Sequence, residues 1–122
     1  MQMHHVMLIE DEPSIAEAIC FILRRDGLQV TAIADGTGAV AAILAQRPDM
    51  VILDLMLPGA SGLEIVAALR AEAATARLPV LMLTAKGQVR DREAALLAGV
   101  TQFMTKPFAN ADLLAAVKAL LA

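Results

Sequence analysis

The sequence predicts an α/β domain built on a parallel sheet, and three features carry that prediction. Five short apolar runs alternate with five longer amphipathic stretches along the 122 residues, the order of repeated strand–helix units. The third and fourth runs, Met50–Asp54 and Pro79–Leu83, are almost uninterrupted Val, Ile, Leu and Met, as suits strands covered by helices on both faces. The longer stretches space their apolar residues three and four apart, so each has one face to bury. The length is that of about one domain.

The first strand is expected over His5–Ile9. A helix follows in which Ile15, Ala18, Ile19, Ile22 and Leu23 form one stripe, opened by Pro13 and closed by Gly27. Leu28–Ile33 reads as the second strand and 36–46 as the second helix. After Met50–Asp54, a third helix starts at Ser61, whose spacing to Glu64 matches a capping box, and ends near Arg70. Beyond Pro79–Leu83, residues 88–98 form the fourth helix, stopped by Gly99. Thr101–Met104 is the fifth strand. Asn110–Leu121 is the last helix, with Leu113, Leu114, Val117, Leu120 and Leu121 inward and Asp112 in its first turn, where a carboxylate suits the helix dipole.

Composition removes several function classes. Although 58% of the residues are hydrophobic, no run approaches the roughly 18 apolar residues of a membrane span; Asp54 cuts the run Val51–Leu57. Thirteen acidic against ten basic residues give no clustered basic surface for a phosphate backbone, so direct nucleic-acid binding is not expected. Aromatics are three phenylalanines, too few for a base-stacking platform. No basic, apolar leader opens the chain, and Cys20 is the only cysteine, so a cytoplasmic location is expected. Cys20 reads as a small core hydrophobe. His4 and His5 lie at the opposite strand end from the acids and are assigned to strand entry.

In an open parallel sheet, ligands bind outside the carboxyl ends of the strands. There the sequence places Glu10-Asp11-Glu12, Asp54, Thr84 and Lys106-Pro107. Crowded carboxylates raise one another's pKa unless a cation holds them ionised. Oxygen donors without His or Cys point to Mg²⁺ or Mn²⁺ rather than zinc, and Mg²⁺ commonly bridges to a phosphate. An aspartate there can attack phosphorus, while Lys106 and the Thr84 hydroxyl serve the phosphoryl oxygens. Each residue alone has an ordinary explanation: a helix cap, a strand end, a surface amine. Their joint placement at one sheet edge is what points to phosphoryl chemistry.

Four segments, Ile9-Glu10-Asp11-Glu12-Pro13, Val51 to Gly59 (VILDLMLPG), Leu83-Thr84-Ala85-Lys86-Gly87 and Thr105-Lys106-Pro107-Phe108, resemble as an ordered set the receiver domain of bacterial two-component response regulators. The likeness spans the chain as a single receiver domain, 1–122. It implies a flavodoxin-like, doubly wound (βα)5 fold with strand order 2-1-3-4-5 and helices on both faces. It also implies that Asp54 is the phosphoacceptor, served by Lys106 and Thr84. Asp11, Glu10, Asp54 and the Met56 backbone carbonyl are the implied Mg²⁺ ligands, Glu10 mainly through water. Thr84 and Phe103 are the implied switch pair, and the Lys106–Pro107 peptide is expected to be cis. The implied partners are a histidine kinase or histidine phosphotransfer protein upstream. Downstream, a protein or effector domain would read the face made by the fourth helix, fifth strand and fifth helix, with homodimerisation on phosphorylation.

The chain departs from that family at several positions. Phe103 lacks the phenol of a tyrosine. Val100-Thr101-Gln102 replaces an acidic pair common in the winged-helix transcription-factor class, and Ala116 replaces that class's arginine, leaving Arg92 and Asp112 for an intersubunit bridge. Met56 and Lys86, each two residues past a site residue, offer no group to orient a hydrolytic water, so autodephosphorylation is expected to be slow. The implied role is signalling rather than enzymatic turnover, with output read from a surface. Two other readings remain open: an aspartate-nucleophile phosphohydrolase, whose usual second aspartate is here Met56, and an interaction module independent of phosphorylation.

Overall fold

The computed structural model describes residues 3–85 and 89–122, the last segment with side chains from Arg92 onward. Five parallel strands, β1 (His5–Ile9), β2 (Gln29–Ile33), β3 (Met50–Asp54), β4 (Val80–Thr84) and β5 (Gln102–Thr105), form one sheet in the order β2-β1-β3-β4-β5. They alternate with α1 (Pro13–Arg25), α2 (Ala39–Gln46), α3 (Gly62–Ala71), α4 (Val89–Ala98) and α5 (Asn110–Leu121). The expected doubly wound fold is therefore the observed one. A short 3₁₀ turn over Ala73–Thr75, not foreseen in the sequence, links α3 to β4.

Strand alternation divides the core into two layers. Val6, Leu8, Met50, Ile52, Leu81 and Leu83 pack with Ile19, Cys20 and Leu23 of α1 and Leu113, Ala116 and Val117 of α5. Met7, Ile9, Val51, Leu53, Val80, Met82 and Phe103 pack with residues of α2, α3 and α4. Both faces of the sheet are thus dry, which is why β3 and β4 are apolar without interruption.

Several boundaries move from their expected places. Thr84 is the last residue of β4 and pairs with Thr105 of β5. The second helix begins at Ala39, three residues late, because Asp35 accepts a hydrogen bond from the Thr37 N–H (2.6 Å) and Gly38 takes a left-handed φ of 79°. The turn so formed docks on the loop after β3 through a Gly36 N–H to Pro58 carbonyl bond of 2.9 Å. In α1 the expected stripe faces the core, with Ile19 and Leu23 buried and Ile15 and Ile22 packed against them, except that Ala18 is exposed and Cys20 is buried instead. Ser61 caps α3 by accepting from the Glu64 N–H, and its hydroxyl donates to the Glu64 carboxylate. The capping box therefore closes side chain to side chain. Gln88, expected in the fourth helix, lies outside the described residues, as do Lys86 and Gly87.

Arg70, near the end of α3, ties three segments together: its guanidinium donates to the carbonyls of Gly99 and Thr75, each at 2.9 Å. Gly62 bears directly on the edge where the polar residues gather. A Cβ there would lie 2.5 Å from the Asp54 carbonyl oxygen and 3.0 Å from the Leu55 Cα, and backbone atoms cannot move aside. Gly62→Ala is expected to lose about 2 kcal/mol of stability, seen as a lower urea midpoint at unchanged slope; a wild-type midpoint would contradict this packing.

Candidate functional site

The parallel register brings the acids together. Ile9 pairs with Leu53, so Glu10 and Asp54, each one residue farther along, emerge side by side at the carboxyl edge. Alternation puts both on the α1/α5 face, together with Lys106, two residues past Met104 of that same layer. Glu10 and Asp54 are buried, at 2% and 6% exposure, whereas Asp11 is exposed. The three residues bring carboxylate oxygens within 4.8 Å of one another.

Lys106 holds this cluster. Its Nζ lies 2.6 Å from Glu10 Oε1 and 3.0 Å from Asp54 Oδ2. The Glu12 N–H donates to the other Glu10 oxygen at 3.2 Å, and the Met56 N–H approaches Asp54 Oδ1 at 3.4 Å. Burial pushes the Glu10 carboxyl above the usual carboxylate range against the Lys106 and Glu12 hydrogen bonds, and the Asp54 charge adds to the rise. For Lys106, burial works against the ammonium, but the Glu10 and Asp54 carboxylates outweigh it and hold its pKa above the ordinary lysine value. The one ammonium thus sits between two carboxylates and compensates their burial.

The remaining residues take up a second face. Thr84 follows Met82, which pairs with Phe103, and alternation turns both Thr84 and Phe103 toward the α2–α4 layer. Thr84 is 1% exposed and Phe103 8%. The Lys106 N–H donates to the Thr84 carbonyl at 2.7 Å, so the two faces meet through one backbone bond. The Lys106–Pro107 peptide is cis. Met56 opens the loop after β3 with its side chain 62% exposed at the mouth of the site. Sequence reasoning missed the docking of Gly36 on Pro58, for which the Asp35-Gly36 turn signal was available. It singled out Arg92 for an intersubunit bridge but missed its contact with Phe103, whose ring centroid lies 6.0 Å from the guanidinium carbon. No periodicity signals that contact.

A doubly wound sheet with an acid cluster, a lysine and a threonine at its carboxyl edge defines a class, and the chain belongs to it: the response regulator receiver domain family, whose sequence profile matches residues 6–118. The protein named "Probable transcriptional regulatory protein TcrX" of Mycobacterium tuberculosis is 46% identical over 95% of the chain and 49% of its own length. The phosphate regulon transcriptional regulatory protein PhoB of Escherichia coli is 39% identical over 95% of the chain and 51% of its own length. The chain thus spans about half the length of these curated relatives. Among solved structures, the chemotaxis protein CheY4 of Vibrio cholerae superposes with a TM-score of 0.92 at 30% identity, covering 98% of this chain and 100% of that one. The receiver domain of sensor histidine kinase PA1611 from Pseudomonas aeruginosa, solved with a magnesium ion in its active site cleft, superposes with a TM-score of 0.90 at 33% identity, covering 98% of each chain.

Proposed function

We propose that this chain is a phosphorylation-activated switch that accepts a phosphoryl group on Asp54 from a histidine kinase or histidine phosphotransfer protein. The observation that carries the reading is the convergence of Glu10, Asp11, Asp54 and Lys106 on one edge. A hard divalent cation fits this donor set, three carboxylates beside the Met56 backbone and neither His nor Cys. Glu10, Asp11, Asp54 and the Met56 carbonyl would hold Mg²⁺, or Mn²⁺ in its place. When bound, the ion supplies charge neutralisation for the carboxylates and the incoming phosphate. The magnesium reported in the cleft of the PA1611 receiver supports the same assignment here.

The chain's own residues divide the work. An Asp54 carboxylate oxygen forms the new bond to phosphorus as the bond to the donor imidazole nitrogen breaks; the imidazole leaves with that electron pair and takes a proton from solvent. Lys106, already 3.0 Å from Asp54, can turn its ammonium to the phosphoryl oxygens, and Thr84 can donate its hydroxyl to one of them. Such a movement of Thr84 repacks the α2–α4 face, where Phe103 already lies buried at 8% exposure, and favours the ring in that place, so that added charge on one face of the sheet becomes a packing change on the other. The surface that follows is α4, β5 and α5, where Leu96 and Leu97 are 52% and 90% exposed. An effector domain, a partner protein or a second copy would read it. Ala116, by contrast, lies in the core at 6% exposure and offers no contact to a partner.

Incubation with Mg²⁺ and acetyl phosphate tests the reading. A stoichiometric covalent adduct by mass supports the switch; steady turnover of many phosphate esters would support a phosphohydrolase, and no reaction an inert interaction module. The adduct is expected to decay slowly, because the exposed side chain two residues past Asp54 is a methionine, which cannot orient water. Met56→Asn is expected to shorten the half-life at least about tenfold. Wild-type decay as fast as that of the variant would refute the assignment of slow loss to Met56.

A further inference from the structure

We propose that Arg92 is a positioning residue for the switch ring: from α4 its guanidinium closes over Phe103 and holds the ring buried, tying α4 to the state of the site. The inference rests on the reading of Asp54 as phosphoacceptor and Phe103 as switch aromatic. Phe103 belongs to the α2–α4 core layer, two strand positions from the level of Thr84. One face of its ring is met by the Arg92 guanidinium at 6.0 Å from the centroid, within the reach of a cation–π contact. Arg92 takes no part in the ion pairs found among the described residues, which involve only Lys106 and Lys118 as cations. Its charge is therefore available to the ring. A phenylalanine suits this lid because it has no hydroxyl that must reach past the arginine to a hydrogen-bonding partner.

A lid of this kind biases a two-position ring, and bias is reciprocal. Whatever favours the buried ring raises the apparent affinity of any ligand that needs it buried, by at most the same factor, because affinity follows the fraction of molecules with the ring in place. A cation–π contact at a partly exposed site converts to about two- to fivefold.

The test titrates the whole chain with beryllofluoride in excess Mg²⁺, followed by backbone and aromatic-ring resonances. Arg92→Ala is expected to bind beryllofluoride more weakly, by up to about fivefold, with the affinity for Mg²⁺ alone unchanged. In the ligand-free protein its Phe103 resonances should move toward those of a solvated ring, and Arg92→Lys should recover part of both effects. In a Phe103→Leu background the removal of Arg92 should change nothing, since a double-mutant cycle isolates the pair. Equal affinities for wild type and Arg92→Ala, or an equal loss in both backgrounds, would overturn the proposal while leaving the phosphoacceptor reading intact. A wild type that takes up no beryllofluoride would overturn both.

Discussion

Asp54→Asn is expected to abolish the acetyl phosphate adduct altogether while leaving the fold in place. The reason is chemical. The carboxylate supplies both the nucleophilic oxygen and the acyl group that holds the phosphoryl; an amide oxygen is a far poorer nucleophile. The neighbouring Asp11 does not substitute, because it is exposed and forms no ion pair with Lys106 among the described residues, whereas Asp54 is buried and bonded to it. Folding is spared because Lys106 retains Glu10 at 2.6 Å, and the variant removes one of the repelling carboxylates. Intact-mass measurement after reaction checks this directly. Residual stoichiometric labelling of the variant would move the phosphoacceptor elsewhere.

Lys106→Met is expected to be the most destabilising change at the site, by about 3 kcal/mol in metal-free buffer. It leaves Glu10 and Asp54 facing each other in a region where each is at most 6% exposed, with no cation between them. Part of that loss should return on adding Mg²⁺, since an ion held by the same carboxylates replaces the missing charge. The wild type should gain less from Mg²⁺, because Lys106 already compensates the acids. Urea unfolding of both proteins with and without Mg²⁺ measures the difference. Equal gains in the two proteins would mean that Lys106 and the ion do not share the same carboxylates.

The sheet was legible in the sequence because a strand dry on both faces has no polar alternation to hide in: Met50–Asp54 and the run ending at Leu83 declare themselves. The site was legible for a related reason. A charged residue closing such a run, as Asp54 does, must have a partner, and carboxyl-edge placement said where to look for it. What stayed hidden depends on contacts far apart in the chain. Thr84 joins β4 because Thr105 of β5 pairs with it. The turn at Asp35–Gly38 that delays α2 is local, but its docking through Gly36 on Pro58 joins segments far apart. Ala18 lies outside the buried stripe because α1 centres its apolar face on Ile19 and Leu23, with Ala16 and Cys20 on the near side and Ala18 at the far edge. Arg70 and Arg92 act through long side chains reaching another element, and no local pattern marks them. The division of the site between two faces of the sheet likewise emerges only when register and alternation are combined.

Coupling between the two faces is read from backbone amide spectra of the wild type and Asp54→Asn with and without beryllofluoride in Mg²⁺. In the wild type, shifts are expected first at Asp54 and Lys106, then at Thr84 and Phe103, and onward into α4; in Asp54→Asn none of these should appear. Shifts confined to the acid cluster, with Phe103 and α4 unmoved while beryllofluoride is fully bound, would mean that the two faces are not coupled.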